Sequence, residues 1–227
     1  MYEIVDLFPL CLYIGDVSCH EKFKGECVDA LDNYEHEMYG NFMLLHNNPR
    51  FKTFFSSLKD NLNQYICSLG IDYTKLSYHV FRSWIIRKFD EPEEQVDINE
   101  NRYDMISALG SHWHPGSDLS FIYYVSADET SDKLYFENCF ANQNDLDGLL
   151  EISTVNNIVT EWNKYNRRYH IIDPKEGKII IFPSKLNHAV RSYTRRAGHR
   201  IAISGDIIVT LTGLNETKTH PSLWKEL

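Results

Sequence analysis

The spacing of apolar positions changes about a third of the way along this chain. From Arg50 to Leu69 they recur at three and four residues (Phe51, Phe54, Phe55, Leu58, Leu62, Tyr65, Ile66, Leu69), which lays a single stripe along an α-helix. Pro49 stands where a helix opens and Gly70 where one stops. Glu21–Met38 is polar and helical in texture, and Leu7–Ile14 reads as a short strand interrupted by Pro9, with Gly15 just beyond it. Further on the helical period disappears. Tyr78–Ile86 is rich in β-branched and aromatic residues and predicts a strand, and further strands are expected at 119–125, 133–136, 169–172, 178–182, 189–193 and 200–211. The acidic stretch 90–104 predicts a solvated loop, and 138–164 a polar insert that could hold a short helix.

Short strands divided by turn residues, after an N-terminal helical part, predict a mainly β fold: a sandwich or barrel with helices on one side. We expect one domain over 1–227, with 1–75 as helical and strand support, 76–212 as the β core and 213–227 as a tail.

Composition narrows the function. Hydrophobic residues at 43% and charged residues at 24% are ordinary globular usage, which excludes a disordered or fibrous chain. A net charge of −9 argues against a protein that grips nucleic acid through its phosphates. No apolar run is long enough to cross a bilayer, and Glu3 and Asp6 are unlike a secretion signal. The five cysteines (Cys11, Cys19, Cys27, Cys67, Cys139) are scattered without a CxxC pair, as free thiols in a reducing compartment would be. The expectation is a cytoplasmic protein with neither nucleic acid nor membrane as partner.

Three of the ten histidines stand apart. His112 and His114 flank Trp113 directly before a β-forming run, and residues two apart on an extended chain point to one face. Pro115-Gly116 then turns the chain, which leaves Asp118 as a possible further ligand. Imidazole suits iron, zinc, copper or nickel rather than calcium or magnesium. Two histidines on one strand face also occur often without a metal. His188 follows the apolar strand ending at Phe182-Pro183-Ser184, where it could complete a site bridging two strands. Arg200 opens another β run; buried there, it needs an anion, either a ligand carboxylate or a neighbouring side chain such as Asp206.

Taken in order, HWHPGSDLSFIYYV, LYF, PKEGKIIIFPSKLNHAV and HRIAIS resemble the Fe(II)/2-oxoglutarate-dependent oxygenases. The likeness is to the prolyl-hydroxylase-like branch, and within it to a small group reading H-x-H-P-x-S-x-L-S…Y-Y, then G…F-P-S…H-x-V, then R. It covers about residues 78–210, with Leu7-Phe8-Pro9 and the Arg50–Leu69 helix matching more loosely. The resemblance implies a double-stranded β-helix (a jelly-roll, cupin-like fold) that holds a ferrous ion and accepts 2-oxoglutarate and O2.

Carried over residue by residue, the resemblance makes His112, His114 and His188 the metal ligands, with Asp118 as the alternative carboxylate. Arg200 would take the distal carboxylate of 2-oxoglutarate, Tyr124 would donate its hydroxyl to the same group, and Ser204 shares the parity of Arg200. The wider superfamily uses His-x-Asp, whereas this chain has His114 in the aspartate's place. That removes a negative charge, and leaves open zinc binding, an inactive site, or a His112 that contacts substrate instead. The implied reaction hydroxylates a small molecule or an amino-acid or peptide substrate, releasing succinate and CO2. Two rivals remain: a three-histidine cupin-type dioxygenase or isomerase that needs no 2-oxoglutarate, and a non-enzymatic ligand-binding β-sandwich.

Overall fold

The computed structural model describes residues 10–32, 44–88, 107–128, 131–138, 160–161, 163–164, 167, 169–191, 200–212 and 225–227. Two helices precede most of the strands. α1 (His20–Asp32) covers the first part of the expected 21–38 helix, whose remainder lies outside the described residues. α2 (Lys52–Ser68) follows a 3-10 turn at Pro49–Phe51, entered through Asn48, whose side chain accepts the Arg50 N–H at 3.0 Å. It ends as the sequence suggests: Gly70, at φ +75°, and its neighbours turn their N–H groups back onto the carbonyls of Tyr65, Ile66 and Cys67.

The strands are β1 (Tyr13–Asp16), β2 (Leu76–Lys88), β3 (Ser107–His112), β4 (Leu119–Ser126), β5 (Lys133–Glu137), β6 (Tyr169–Ile172), β7 (Lys178–Pro183), β8 (His188–Arg191), β9 (Arg200–Leu211) and β10 (Lys225–Glu226). They form a six-stranded sheet in the order β1-β7-β4-β9-β2-β10 and a four-stranded sheet in the order β3-β8-β5-β6. Every pairing within both is antiparallel.

Alternation along the central strands sorts their side chains between two cores. Phe121, Tyr123 and Val125 of β4, with Ile179, Ile181, Ile201 and Ile203, face the helices. There Phe54 of α2 stacks on Tyr123 with ring centroids 4.8 Å apart, and Phe23 of α1 stacks on Phe54 at 5.4 Å. Ile122 and Tyr124, with Ile180, Phe182 and Ala202, form the other core together with Leu134, Phe136 and Val190 of the smaller sheet. Ser120, Ile122 and Tyr124 thus share the face of β4 that looks into this second core, and the site lies between the sheets.

Three elements depart from the sequence expectation. β1 sits at Tyr13–Asp16, because pairing with Ile181–Lys178 of β7 fixes its place, and Gly15 is accommodated inside an edge strand. β3 was not anticipated, since Ser-Ala-Leu-Gly-Ser-His has weak strand preference and pairs irregularly with β8. The expected tail contains β10, which adds Lys225 and Glu226 to the edge of β2 beside Val80 and His79. The acidic stretch 90–104 and most of the 138–164 insert lie outside the described residues.

Candidate metal centre

β3 and β8 bring the histidines together. His112, the last residue of β3, pairs across the ladder with His188, the first of β8. The chain turns after His112, and the backbone N–H of His114 donates to the Ser184 carbonyl at 2.8 Å, tying the second histidine to the end of β7. The ring centroids lie 4.4 Å apart for His112–His188, 5.0 Å for His114–His188 and 5.1 Å for His112–His114. One ring nitrogen from each lies within 4.8 Å of those from the other two.

The hydrogen bonds at the far side of each ring decide which nitrogen faces the centre. His112 Nδ1 lies 2.8 Å from the Gly110 carbonyl, and His188 Nδ1 lies 2.9 Å from the Leu186 carbonyl. A carbonyl only accepts, so both Nδ1 atoms carry the proton and donate. His114 Nδ1 meets the Asp206 carboxylate at 2.5 Å and donates likewise. Each Nε2 is left with its lone pair turned inward, and those of His112 and His114 stand 3.1 Å apart. Three converging lone pairs repel one another until a cation or a proton sits among them. Burial, together with the neighbouring imidazoles, lowers the pKa of His188 to about 4, so it is neutral and ready to act as a ligand near pH 7.

Asp206 anchors the polar side of this cluster. It is fully buried at 0% exposure and forms an ion pair with Arg82 through its other oxygen at 2.5 Å. The Ser120 hydroxyl donates to Asp206 at 2.7 Å and lies 2.9 Å from Ser184 Oγ. Burial alone would raise the carboxyl pKa, but the bonds from His114 and Ser120 and the charge of Arg82 outweigh it and hold it below the ordinary value. The ladder explains the meeting: Asp206 of β9 is paired with Ser120 of β4 on one side and Arg82 of β2 on the other. A register shift between Val80 and Arg82 brings β2 close, and only a glycine fits at position 205. A Cβ there would meet the Arg82 carbonyl oxygen at 2.6 Å and the Phe121 ring at 2.7 Å.

Arg200 begins the same β9 strand and is 3% exposed. Among the described residues its nearest anion is Asp132, 3.9 Å from Nη2, with the Asp132 carbonyl 3.5 Å from Nη1. The Arg200–Asp206 pairing left open by the sequence does not form; Asp206 is occupied by His114, Ser120 and Arg82. The Tyr124 hydroxyl and Arg200 Nε are buried without a hydrogen-bond partner among the described residues. Burial raises the Tyr124 pKa, so the hydroxyl is a neutral donor, and Arg200 lies close enough to oppose that shift. Two buried donors lacking acceptors, one on a cation, make a polar point in the core between the sheets. Ser204 is also buried, opposite Ile122 and Trp84 in the ladder.

The other sequence candidates fall elsewhere. Asp118 is exposed, and its carboxylate accepts the Val209 N–H at 2.9 Å, so it is not among the three clustered ligands. Trp113 points away from the histidines and is 49% exposed. Sequence reasoning missed the roles of Asp206, Arg82 and Asp132. For Asp206 a signal existed, since 200, 202, 204 and 206 share one face of β9; its pairing with Arg82 depends on an irregular register that no local pattern carries.

The donor set fits a divalent transition metal: three neutral imidazoles, each oriented from behind, with a buried cation and a phenol to receive an anionic ligand. Among the described residues no helix is long and apolar enough to cross a membrane. Comparison with known proteins bears on the same features. Residues 100–206 match the family described as "Putative 2OG-Fe(II) oxygenase". No curated protein matches the sequence. Among solved structures, the α-ketoglutarate-dependent non-heme epimerase SnoN from nogalamycin biosynthesis is similar with a TM-score of 0.55 at 9% identity, over 93% of this chain and 86% of that one. A Pseudomonas putida prolyl-4-hydroxylase gives 0.48 at 10% identity, over 87% and 86%. An oxidoreductase of the 2OG-Fe(II) oxygenase family from Burkholderia pseudomallei gives 0.43 at 14% identity over 71% of this chain, which spans only 57% of that protein's chain. The fold is the double-stranded β-helix, and residues 100–206, a little under half of the chain, are similar to the 2OG-Fe(II) oxygenase family.

Proposed function

We propose that this chain hydroxylates a small molecule, or an amino-acid or peptide side chain, converting 2-oxoglutarate to succinate and CO2. His112, His114 and His188 would hold the iron, and Arg200 with Tyr124 would receive the distal carboxylate of 2-oxoglutarate. Bound iron supplies the redox chemistry with O2, which no side chain here can perform. The protein's own contribution is placement. The acceptor carbonyls of Gly110 and Leu186 hold two rings in their ligating tautomer. The apolar walls (Ile122, Ile180, Phe182, Ala202) exclude water, which strengthens the attraction between Arg200 and a carboxylate. The inward meeting of three Nε2 lone pairs carries this reading. The scattered free thiols, four of them among the described residues, support a reducing, cytoplasmic setting.

The test is anaerobic addition of Fe(II) and 2-oxoglutarate, followed by O2. Visible absorbance from the iron–2-oxoglutarate complex, and succinate formed even without a second substrate, are expected. A protein that binds iron yet leaves 2-oxoglutarate unchanged would overturn the proposal.

One observation favours a second reading. Asp132 already faces Arg200, so the guanidinium has a protein carboxylate nearby. In a three-histidine oxygenase that needs no 2-oxoglutarate, that pair would be structural and Arg200→Ala would leave turnover intact.

A further inference from the structure

An all-imidazole ligand set brings no charge of its own to a divalent ion. The fully buried carboxylate of Asp206 lies one hydrogen bond behind it, 2.5 Å from His114 Nδ1. Of the three rings, His112 and His188 are backed by neutral backbone carbonyls, and His114 alone is backed by a charged group. A carboxylate accepting the Nδ1 proton fixes the tautomer and makes the opposite nitrogen a stronger donor. Resting on the metal-centre reading above, we propose that Asp206 is a positioning residue. It locks His114 with Nε2 toward the metal and supplies, through the ring, negative charge that the ligands lack.

Two further features suit this role. Ser120 donates to the same Asp206 oxygen and approaches His114 Nδ1 at 3.2 Å, so the carboxylate cannot swing away from the ring without losing a second bond. Arg82 holds the other oxygen, fixing the carboxylate plane and leaving Oδ1 for the histidine. His114 lies just beyond the end of β3, before the Pro115-Gly116 turn, whereas His188 stands within the β8 ladder. The charged restraint therefore falls on the one histidine of the three that no strand ladder holds.

The experiment uses zinc, which is redox-inert, with the full chain stripped of metal. Calorimetric titration compares wild type, Asp206→Asn and His188→Ala, while 15N-detected NMR reads the His114 tautomer in the wild type. Asp206→Asn keeps the shape and an acceptor but removes the charge, and is expected to weaken zinc binding about ten- to a hundredfold. In the wild type, His114 is expected with Nδ1 protonated both before and after zinc is added. Unchanged zinc affinity in Asp206→Asn, alongside lost binding in His188→Ala, would overturn the positioning role and leave the metal centre standing. Zinc binding that survives His188→Ala would overturn the metal centre, and this role with it. Should Asp206→Asn not fold, a wild-type His114 protonated on Nε2 in the metal-free protein would by itself refute the assignment.

Discussion

Arg200 and Asp206 lie on the same face of one strand but meet different partners six residues apart. The guanidinium stands near Tyr124 with Asp132 at 3.9 Å, and the carboxylate stands behind His114 at 2.5 Å. Between them lie the small side chains of Ala202 and Ser204, paired with Tyr124 and Ile122 of β4. β9 thus sets the distance from the histidine cluster to Arg200 as a matter of strand geometry, roughly 3.3 Å for each residue.

The anion end can be tested on its own. Arg200→Ala and Tyr124→Phe should each raise the KM for 2-oxoglutarate at least about tenfold, since a bond to a charged partner contributes roughly 1.5–3 kcal/mol. Succinate formation against 2-oxoglutarate concentration measures both. Zinc affinity, which depends on the histidines, should stay at the wild-type value in each variant.

Gly205 should tolerate no side chain. Its would-be Cβ meets a backbone oxygen, which cannot move aside as a flexible side chain would. Gly205→Ala should cost about 1–3 kcal/mol, read as a lower denaturant midpoint. Because the clash is with the Arg82 backbone, whose side chain holds Asp206, metal affinity should fall with stability.

The metal-free protein should lose stability on mild acidification. The pKa of His188 is depressed to about 4 in the folded state, so its contribution is fully present above the unfolded value of roughly 6.5 and disappears as pH falls toward 4. The unfolded chain takes up the proton first, and the cumulative loss is roughly 3 kcal/mol. Denaturant unfolding of chelator-treated protein across that window checks this, with His188→Gln removing most of the slope.

The helix-facing core should matter for folding and little for the site. Phe54 is completely buried and stacks on Phe23 and Tyr123, on the opposite side of the sheet from the histidines. Phe54→Ala should cost about 3–5 kcal/mol. Protein that remains folded at low temperature should bind zinc normally in the calorimeter.

What the sequence revealed, and what it hid, divides along a physical line. The α2 stripe and β4 alternation were legible because each is a local period, and burying one face leaves one register. His112 and His114 were legible because two residues on an extended chain share a face, and the four ordered segments resemble a known oxygenase pattern. β3 was hidden because Ser-Ala-Leu-Gly-Ser-His becomes a strand only when β8 offers it a ladder. Asp206 was named only as a possible partner for Arg200, and its actual partners were not legible. Arg82 reaches it through a bulge and Ser120 from a third strand, and such pairings exist only in the assembled sheet.

The account stands on three imidazoles sharing a single metal ion. The most direct measurement is the iron retained per chain after anaerobic reconstitution and desalting, in wild type and in His112→Ala, His114→Ala and His188→Ala. A single equivalent in the wild type, lost in each variant while circular dichroism shows an intact fold, is the expected result. Iron retained at the wild-type level in His188→Ala would contradict it.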